Sequence, residues 1–260
     1  HESTEGCAII KKMLDKGDPA FINGVEFSCA DEYGKYQILG YGYDPESPQI
    51  SEIIAKARAY NVNNVTNTLN YLRSEYGFVF SNADREALLS KNNPSKRNVA
   101  ALMVKYGYAT TKNDAIVNYI RKNKTKDDFI RPEEVIHAIL KAKGIPVLSH
   151  PFYGHGDELF HADEVDKRIK RLVRMGLKGI EAFYSGFTKT LQEELLLFAD
   201  KYNLYVTAGS DYHGSYKLDR IGDTDLESHP EYPKRLQKFL KKVHVYNGES
   251  VRKRFALFRK

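Results

Sequence analysis

The stretch Leu204–Gly214, LYVTAGSDYHG, joins a short apolar run to two side chains that bind metals well. Residues 204–209 are typical of a buried strand, because they are apolar or small and include β-branched residues. Asp211 and His213 follow directly, so a carboxylate and an imidazole lie two residues apart where the strand should end. This order predicts a metal site at the carboxyl end of a strand.

Two further stretches carry candidate ligands of the same kind. In Ile145–Pro151, IPVLSHP, an apolar run ends in His150, and the proline that follows blocks helix continuation. In Ile22–Ser28, INGVEFS, Glu26 lies among apolar neighbours, where a carboxylate is costly unless a cation or hydrogen bonds meet it. With Asp211 and His213, these residues predict a centre that holds several metal ions.

Each of these residues also has an ordinary structural explanation. Glu26 could be a buried acid paired with a lysine, His150 a core histidine bonded to backbone, and Asp211 a turn residue. Their common position at predicted strand ends favours the metal centre over three separate coincidences.

The composition of the chain is compatible with such a centre. It has 260 residues and a net charge of +6, from 40 Lys and Arg against 34 Asp and Glu, which favours anionic partners such as phosphates or nucleic acid. No run approaches the roughly 18 apolar residues of a membrane span, and no signal peptide is visible. Cys7 and Cys29 are too few for a disulfide framework, so we expect packed thiols in a cytoplasmic protein.

The first half of the chain changes character near residue 51. Strands are predicted to end near Glu26 and to span 36–42, with a turn at 31–34 between them. From 51 to 128 the pattern is almost entirely helical, and Ser51, Asp84, Ser95 and Thr111 are the predicted helix caps. We therefore predict one domain from 1–63 and 129–260, interrupted by a helical insertion at 64–128.

Helices and strands alternate again after residue 131. Helices are predicted at 133–143, 162–175 and 190–202, and strands ending near 150, 184 and 209 follow them. Such repeats imply a parallel sheet, either open or closed into a barrel. Functional groups at strand ends favour the closed form, a distorted β/α barrel.

Five motifs in order resemble those of the PHP (polymerase and histidinol phosphatase) family, most closely its stand-alone phosphoesterases of the TrpH or YciV type. Five motifs in this order are hard to explain by chance, although each alone is weak. They are His1, Gly24-Val-Glu-Phe-Ser28, Gln37-Ile-Leu-Gly-Tyr41, His150-Pro151 and Ser210-Asp-Tyr-His213. The resemblance implies a seven-stranded, TIM-like barrel whose helical insertion covers the site.

The resemblance also implies a ligand set for two or three divalent ions, Mn, Fe or Zn. His1 and His213 would share one ion, Asp211 would bind a second, and Glu26 with His150 would bind a third or a bridging one. The metal ligands expected are His1, Glu26, Gln37, His150, Asp211 and His213, with Asp211 and His213 the catalytic pair.

Two departures from the family pattern qualify this ligand set. The family's opening histidine-x-histidine motif is absent before His1, so we expect that an amino-terminal strand is missing. Gln37 stands where the family has a metal-binding histidine, and a neutral amide is a poorer ligand for such metals than imidazole.

Basic residues near the insertion are candidates for binding the substrate. Lys96, Arg97 and Asn98 occupy the place of a family segment that faces the substrate, and Arg131 can hold two phosphate oxygens. We predict a hydrolase of small phosphomonoesters, preferably nucleoside mono- or 3′,5′-bisphosphates. We expect no association with a membrane. A 5′–3′ exonuclease on short RNA or DNA and a degenerate, non-catalytic nucleotide-binding protein remain alternatives.

Overall fold

The computed structural model describes residues 1–153, 159–214, 220–226 and 233–247. Within these ranges the chain is an α/β protein with one mixed sheet. Its strands are β1 (Gly24–Asp31), β2 (Gly34–Tyr41), β3 (Ile145–Leu148), β4 (Gly179–Tyr184) and β5 (Tyr205–Gly209). Its helices are α1 (Glu5–Met13), α2 (Pro48–Tyr76), α3 (Asn82–Leu89), α4 (Lys96–Lys105), α5 (Lys112–Asn118), α6 (Pro132–Lys141), α7 (Ala162–Arg174), α8 (Lys189–Lys201) and α9 (Lys234–Lys242).

The sheet has the order β1-β2-β3-β4-β5, which is also the order along the chain. β1 and β2 form an antiparallel hairpin, β2 runs antiparallel to β3, and β3, β4 and β5 are parallel. The parallel part agrees with the predicted alternation of helices and strands. The seven-stranded barrel is not confirmed, because the described part of the chain contains five strands with β1 and β5 at the edges.

The turn and the second strand of the hairpin form where the sequence predicted them, but β1 continues to Asp31, so the strand end predicted near Glu26 was wrong. Asp31 pairs with Gly34 across the turn, and the Asp31 carboxylate accepts the backbone N–H of Tyr33 at 2.8 Å. Gly34 has a φ of 137°, which suits glycine because it carries no Cβ. Val25 and Phe27 of β1 lie in the core, and Glu26 between them faces the other side of the sheet.

Helices cover the central strands, which explains their continuous apolar sequences. All four residues of β3 and the first five of β4 are buried, as expected for parallel strands covered on both faces. Helix α6 buries Val135, Ile136 and Ile139, and it packs against β1, β2 and β3. Helix α8 packs against β4 and β5, and α9 packs against β5.

Two arginines of α7 fasten this helix to the hairpin. Arg168 is buried, donates to the carbonyl of Lys35, and lies 4.1 Å from the ring centroid of Tyr36. Arg171 forms an ion pair at 3.0 Å with Asp31, whose side chain is fully buried. These contacts hold the hairpin in place beside the parallel strands.

The described residues divide into two compact units, one made of His1–Ser3 with Glu52–Ile130 and the other of Thr4–Ser51 with the described part of Arg131–Lys260. The regular elements of the first unit are all helices. Its core includes Leu69, Leu72 and Met103. The second contains the sheet. The predicted division into a domain at 1–63 and 129–260 and an insertion at 64–128 stays a prediction.

The helix starts in the helical unit were predicted in part. Ser95 and Asn98 form a capping box at the start of α4, and Thr111 caps α5, as predicted. Helix α3 instead begins after Ser81, whose side chain accepts the N–H of Asp84, so the cap predicted at Asp84 was wrong. The cap predicted at Ser51 was also wrong, because α2 is one continuous helix that begins at Pro48.

The cysteines are packed thiols, as predicted. Cys29 is buried in β1, and the half-buried Cys7 of α1 donates to the carbonyl of Gly24 at 3.2 Å. No helix within the described ranges is long and apolar enough to cross a membrane.

Candidate metal centre

The hairpin presents Glu26 and Gln37 on the same face. Ser28 pairs with Gln37 and Glu26 pairs with Leu39, and directly paired residues point to the same side of a sheet. Buried residues alternate with these positions in both strands, so this face lies opposite Phe27 and Ile38. Gln37 therefore lies on the side of the sheet that carries Glu26.

His150 follows β3 by two residues. It is 9% exposed, and its ring lies 5.4 Å from the ring centroid of Tyr184. Its φ is 26°, in the left-handed region that residues with a Cβ rarely adopt. The backbone turns here, since the His150 carbonyl accepts the N–H of Tyr153 at 2.9 Å.

Asp211 and His213 follow β5, as the sequence predicted. Asp211 also has a positive φ, 49°. The Nδ1 atom of His213 lies 2.7 Å from the Asp211 carbonyl and 3.0 Å from its Oδ1 atom, and the Tyr184 hydroxyl donates to Asp211 Oδ2 at 3.3 Å. If Nδ1 carries the proton and donates to the carbonyl, the lone pair of Nε2 is available to a metal ion.

Glu181 of β4 belongs to the same region, and the sequence analysis missed it. Its side chain is buried, and Oε2 accepts from the Ser149 hydroxyl at 3.2 Å and from the His150 N–H at 3.0 Å. The signal that could have found it is the one used for Glu26, an acid inside an apolar strand. The stretch Gly179–Tyr184, GIEAFY, shows this signal clearly.

The carboxylates of this region influence one another. Burial raises the pKa of Glu26, and the charge of Asp211 raises it further, whereas His150 and His213 lower it. Burial, with the charges of Glu26 and Asp211, raises the pKa of Glu181 to about 8 against the hydrogen bonds from His150 and Ser149. Carboxylates at close quarters in a buried region favour the binding of a cation or of protons.

The described side chains of this region are of the types that bind divalent metals, but their positions do not form a complete metal site. Imidazole and carboxylate together suit Zn, Mn and Fe. Among the described residues, however, no three His, Cys, Asp or Glu side chains form a group that could hold a metal ion. One physical reason is that the Asp211 carboxylate is turned toward Tyr184 and His213.

The remaining predicted ligand, His1, belongs to the helical unit. Its carbonyl accepts a hydrogen bond from the Asn93 amide at 2.7 Å. Its assignment as a metal ligand stays a prediction.

The predicted substrate-binding residues differ in their exposure and in the partners that they contact. Lys96 forms a 2.6 Å ion pair with Asp127, and the Asn98 side chain accepts the Ser95 N–H in the α4 cap. Arg97 is exposed. At the start of the sheet unit's second segment, Arg131 is exposed and lies 3.4 Å from a carboxylate oxygen of Glu32. Their role in substrate binding stays a prediction.

No protein-family model matches the chain. Its sequence is nevertheless 25% identical over 233 residues to a phosphoribosyl 1,2-cyclic phosphate 1,2-diphosphodiesterase of Eggerthella lenta, covering 85% of this chain and 84% of that protein. It is 24% identical over 234 residues to a 3′,5′-nucleoside bisphosphate phosphatase of Chromobacterium violaceum, covering 86% and 79%. The chain is a relative of phosphoric ester hydrolases. This similarity confirms the predicted resemblance to phosphoesterases and the predicted enzyme class, a hydrolase of phosphoric esters.

A third relative and two solved structures extend the comparison. A 5′–3′ exoribonuclease of Haemophilus influenzae is 23% identical over 204 residues, covering 74% of this chain and 69% of that protein. A crystal structure from Bifidobacterium adolescentis, described as a metal-dependent phosphoesterase, has a TM-score of 0.72 and 22% identity, covering 94% of this chain and 84% of that one. A C. violaceum protein described as an amidohydrolase, with bound sulfate and no metal, has a TM-score of 0.74 and 19% identity, covering 95% and 85%. The fold is shared with both.

Proposed function

We propose that this chain is a metal-dependent phosphoesterase that hydrolyses small phosphomonoesters, with nucleoside mono- and 3′,5′-bisphosphates as its substrate class. The observation that carries the proposal is that His150 lies just beyond the end of β3, and Asp211 and His213 lie just beyond the end of β5. The charges of these three residues act on the buried carboxyl group of Glu26 in β1. Two relatives whose names describe hydrolysis of phosphoric esters support the same chemistry, because their similarity to this chain extends over most of their length.

The side chains of this region have distinct roles in the proposed reaction. Glu26, His150, Asp211 and His213 would hold the cations, with Asp211 also fixing the ring of His213. Bound divalent ions supply neutralisation of the phosphoryl charge and activation of water. The Tyr184 hydroxyl, which donates to Asp211, orients that carboxylate. We propose two or three ions of Mn, Fe or Zn, with Gln37 at a weaker position.

We propose that basic residues, among them Lys96, Arg97 and Arg131, select the substrate. Lys96 pairs with Asp127, and Arg131 pairs with Glu32. These ion pairs partly neutralise both basic side chains and weaken their attraction for a phosphate. Arg97 is exposed and is the stronger candidate for a phosphate contact.

A 5′–3′ exonuclease on short RNA or DNA is the second candidate. It is the same phosphoester hydrolysis with a longer leaving group, and the H. influenzae exoribonuclease is a relative over 74% of this chain. A net charge of +6 also suits a polyanionic substrate.

The test compares metal binding and hydrolysis in matched variants. The purified protein is assayed with Mn on p-nitrophenyl phosphate, on nucleoside mono- and bisphosphates, and on 5′-phosphorylated oligonucleotides. Asp211→Asn should lower turnover by about a hundredfold or more, because it removes a charged ligand at nearly constant volume. Asp163→Asn, an exposed acid at the start of α7, is the control and should retain activity.

The outcomes separate the candidates. Hydrolysis of nucleotides that chelation abolishes supports the phosphatase, whereas faster turnover of oligonucleotides supports the exonuclease. A folded protein that binds no metal and shows no turnover with added Mn would leave the degenerate nucleotide-binding protein and refute the enzyme.

A further inference from the structure

We propose that Glu181 is a positioning residue, whose buried carboxylate fixes the backbone of Ser149 and His150 and thereby aims the His150 imidazole at the metal centre. The inference rests on the proposed function, because it concerns the ligand that His150 provides. It adds a residue that does not itself bind the metal.

The Ser149–His150 segment is held from both neighbouring strands. On the β2 side, the Ser149 N–H donates to the Gln37 carbonyl at 3.0 Å. On the β4 side, Glu181 Oε2 accepts the His150 N–H at 3.0 Å and the Ser149 hydroxyl at 3.2 Å. The backbone of His150 is thus fixed just beyond the end of β3, where no regular strand pairing continues.

His150 needs this support because of its backbone conformation. Its φ of 26° is unfavourable for any residue with a Cβ, and such conformations persist only where surrounding contacts impose them. The Glu181 Oε2 atom supplies such a contact, because it accepts the His150 N–H at 3.0 Å in a buried place. Glu181 therefore explains how His150 keeps a conformation that its own chemistry disfavours.

The carboxylate of Glu181 is itself confined. An added Cβ at Gly209 of β5 would lie 2.2 Å from Glu181 Oε1, so that oxygen occupies the space that any other residue at 209 would fill. The pairing of β4 with β5 is irregular between Glu181 and Phe183, which fits a local adjustment of the backbone around this side chain. One oxygen contacts the Ser149–His150 segment and the other faces Gly209, an arrangement that suits positioning better than metal binding.

The test separates the hydrogen bond from the charge. Glu181→Gln keeps an oxygen acceptor of the same reach and removes the charge, whereas Glu181→Leu removes the acceptor. Glu181→Asp keeps the carboxyl group, but its side chain is shorter by one methylene and reaches less far. Thr207→Val is the matched control, because Thr207 is buried, pairs with Glu181 across β4 and β5, and is not part of the Ser149–His150 segment.

Three measurements are made on each variant. Isothermal titration gives Mn²⁺ affinity, and the ¹H–¹⁵N shift of the His150 amide is recorded in the metal-free protein, where it reports the hydrogen bond alone. Turnover number and Michaelis constant are then measured at saturating Mn²⁺.

The Leu and Asp variants should bind Mn²⁺ about tenfold or more weakly, the scale seen when a residue that orients a ligand is lost. In both, the His150 amide resonance should move upfield, and saturating Mn²⁺ should restore turnover without changing the Michaelis constant. The Gln variant should bind within about threefold of the wild type, since its amide oxygen still accepts the N–H. The Thr207→Val variant should match the wild type.

Two results would overturn the proposal. Equal losses in the Gln and Leu variants would mean that the charge acts, not the hydrogen bond, and wild-type affinity in the Leu or Asp variant would mean that Glu181 does not position His150. If the Leu variant does not fold, the Asp variant decides. A wild-type protein that binds no Mn²⁺ would instead refute the proposed function, while the amide shift would still show whether the hydrogen bond exists.

Discussion

Replacing Gly209 with alanine should destabilise the sheet unit, and the structure allows the cost to be worked out. The new Cβ would lie 2.2 Å from Glu181 Oε1 and 3.2 Å from Glu181 Cδ, where ordinary contact begins near 3.4 Å. The carboxylate would have to retreat by about 1 Å, which stretches or breaks its bonds to Ser149 and His150. Overpacking costs about 1–3 kcal/mol, and each lost hydrogen bond about 0.5–1.5 kcal/mol. We expect a loss of about 3 kcal/mol in the free energy of unfolding.

The assay is urea unfolding followed by circular dichroism in the presence of EDTA. Gly24→Ala in β1 is the control, because its added Cβ would meet the Tyr41 ring at an ordinary 3.4 Å. Neither glycine has a positive φ, so backbone strain does not separate them. In a Glu181→Ala background the Gly209 substitution should cost much less. Equal stability of the Gly209 and Gly24 variants would refute the steric argument.

Three further predictions concern charge and metal binding. Hydrogen bonds from Lys105 and Tyr106 lower the pKa of Asp84 from 3.8 to about 2, so its contribution to stability should be present above pH 3.8 and lost as the pH falls toward 2. Thermal unfolding across this range should show the loss, and an Asp84→Asn variant with the same pH profile would contradict it. Gln37→His should raise Mn²⁺ stoichiometry and turnover at limiting Mn²⁺, measured by metal analysis and phosphate release; no change in either would exclude Gln37 from the centre. Arg97→Gln should raise the Michaelis constant for nucleotides more than for p-nitrophenyl phosphate, and equal effects would indicate a general defect.

Local signals made the hairpin and several helix starts predictable. The β1–β2 turn depends on residues 31–34, and the α4 cap depends on Ser95 and Asn98, so the deciding interactions lie within a few positions of each other. Whether the sheet closes into a barrel was not predictable in this way. It depends on which strands pair at the edges, and no short stretch of sequence carries that information.

The candidate site illustrates the same limit. Asp211 and His213 could be recognised because both follow one strand, and His150 because it follows another. Glu181 was overlooked although its sequence context resembles that of Glu26. Its importance comes from the hydrogen bonds to Ser149 and His150, and these form only when β3 and β4 are side by side.

The pairing of β2 with β3 has a consequence for the order of folding. Ile38 pairs with Leu148, so this pairing must close a loop that contains the whole of Glu52–Ile130. A long loop makes such a contact slow to form, and contacts within helices form far sooner. The helical unit, whose core is built from neighbouring helices, can fold first and shorten the effective loop. The late step in the folding of this chain should then be the joining of the hairpin to the parallel strands.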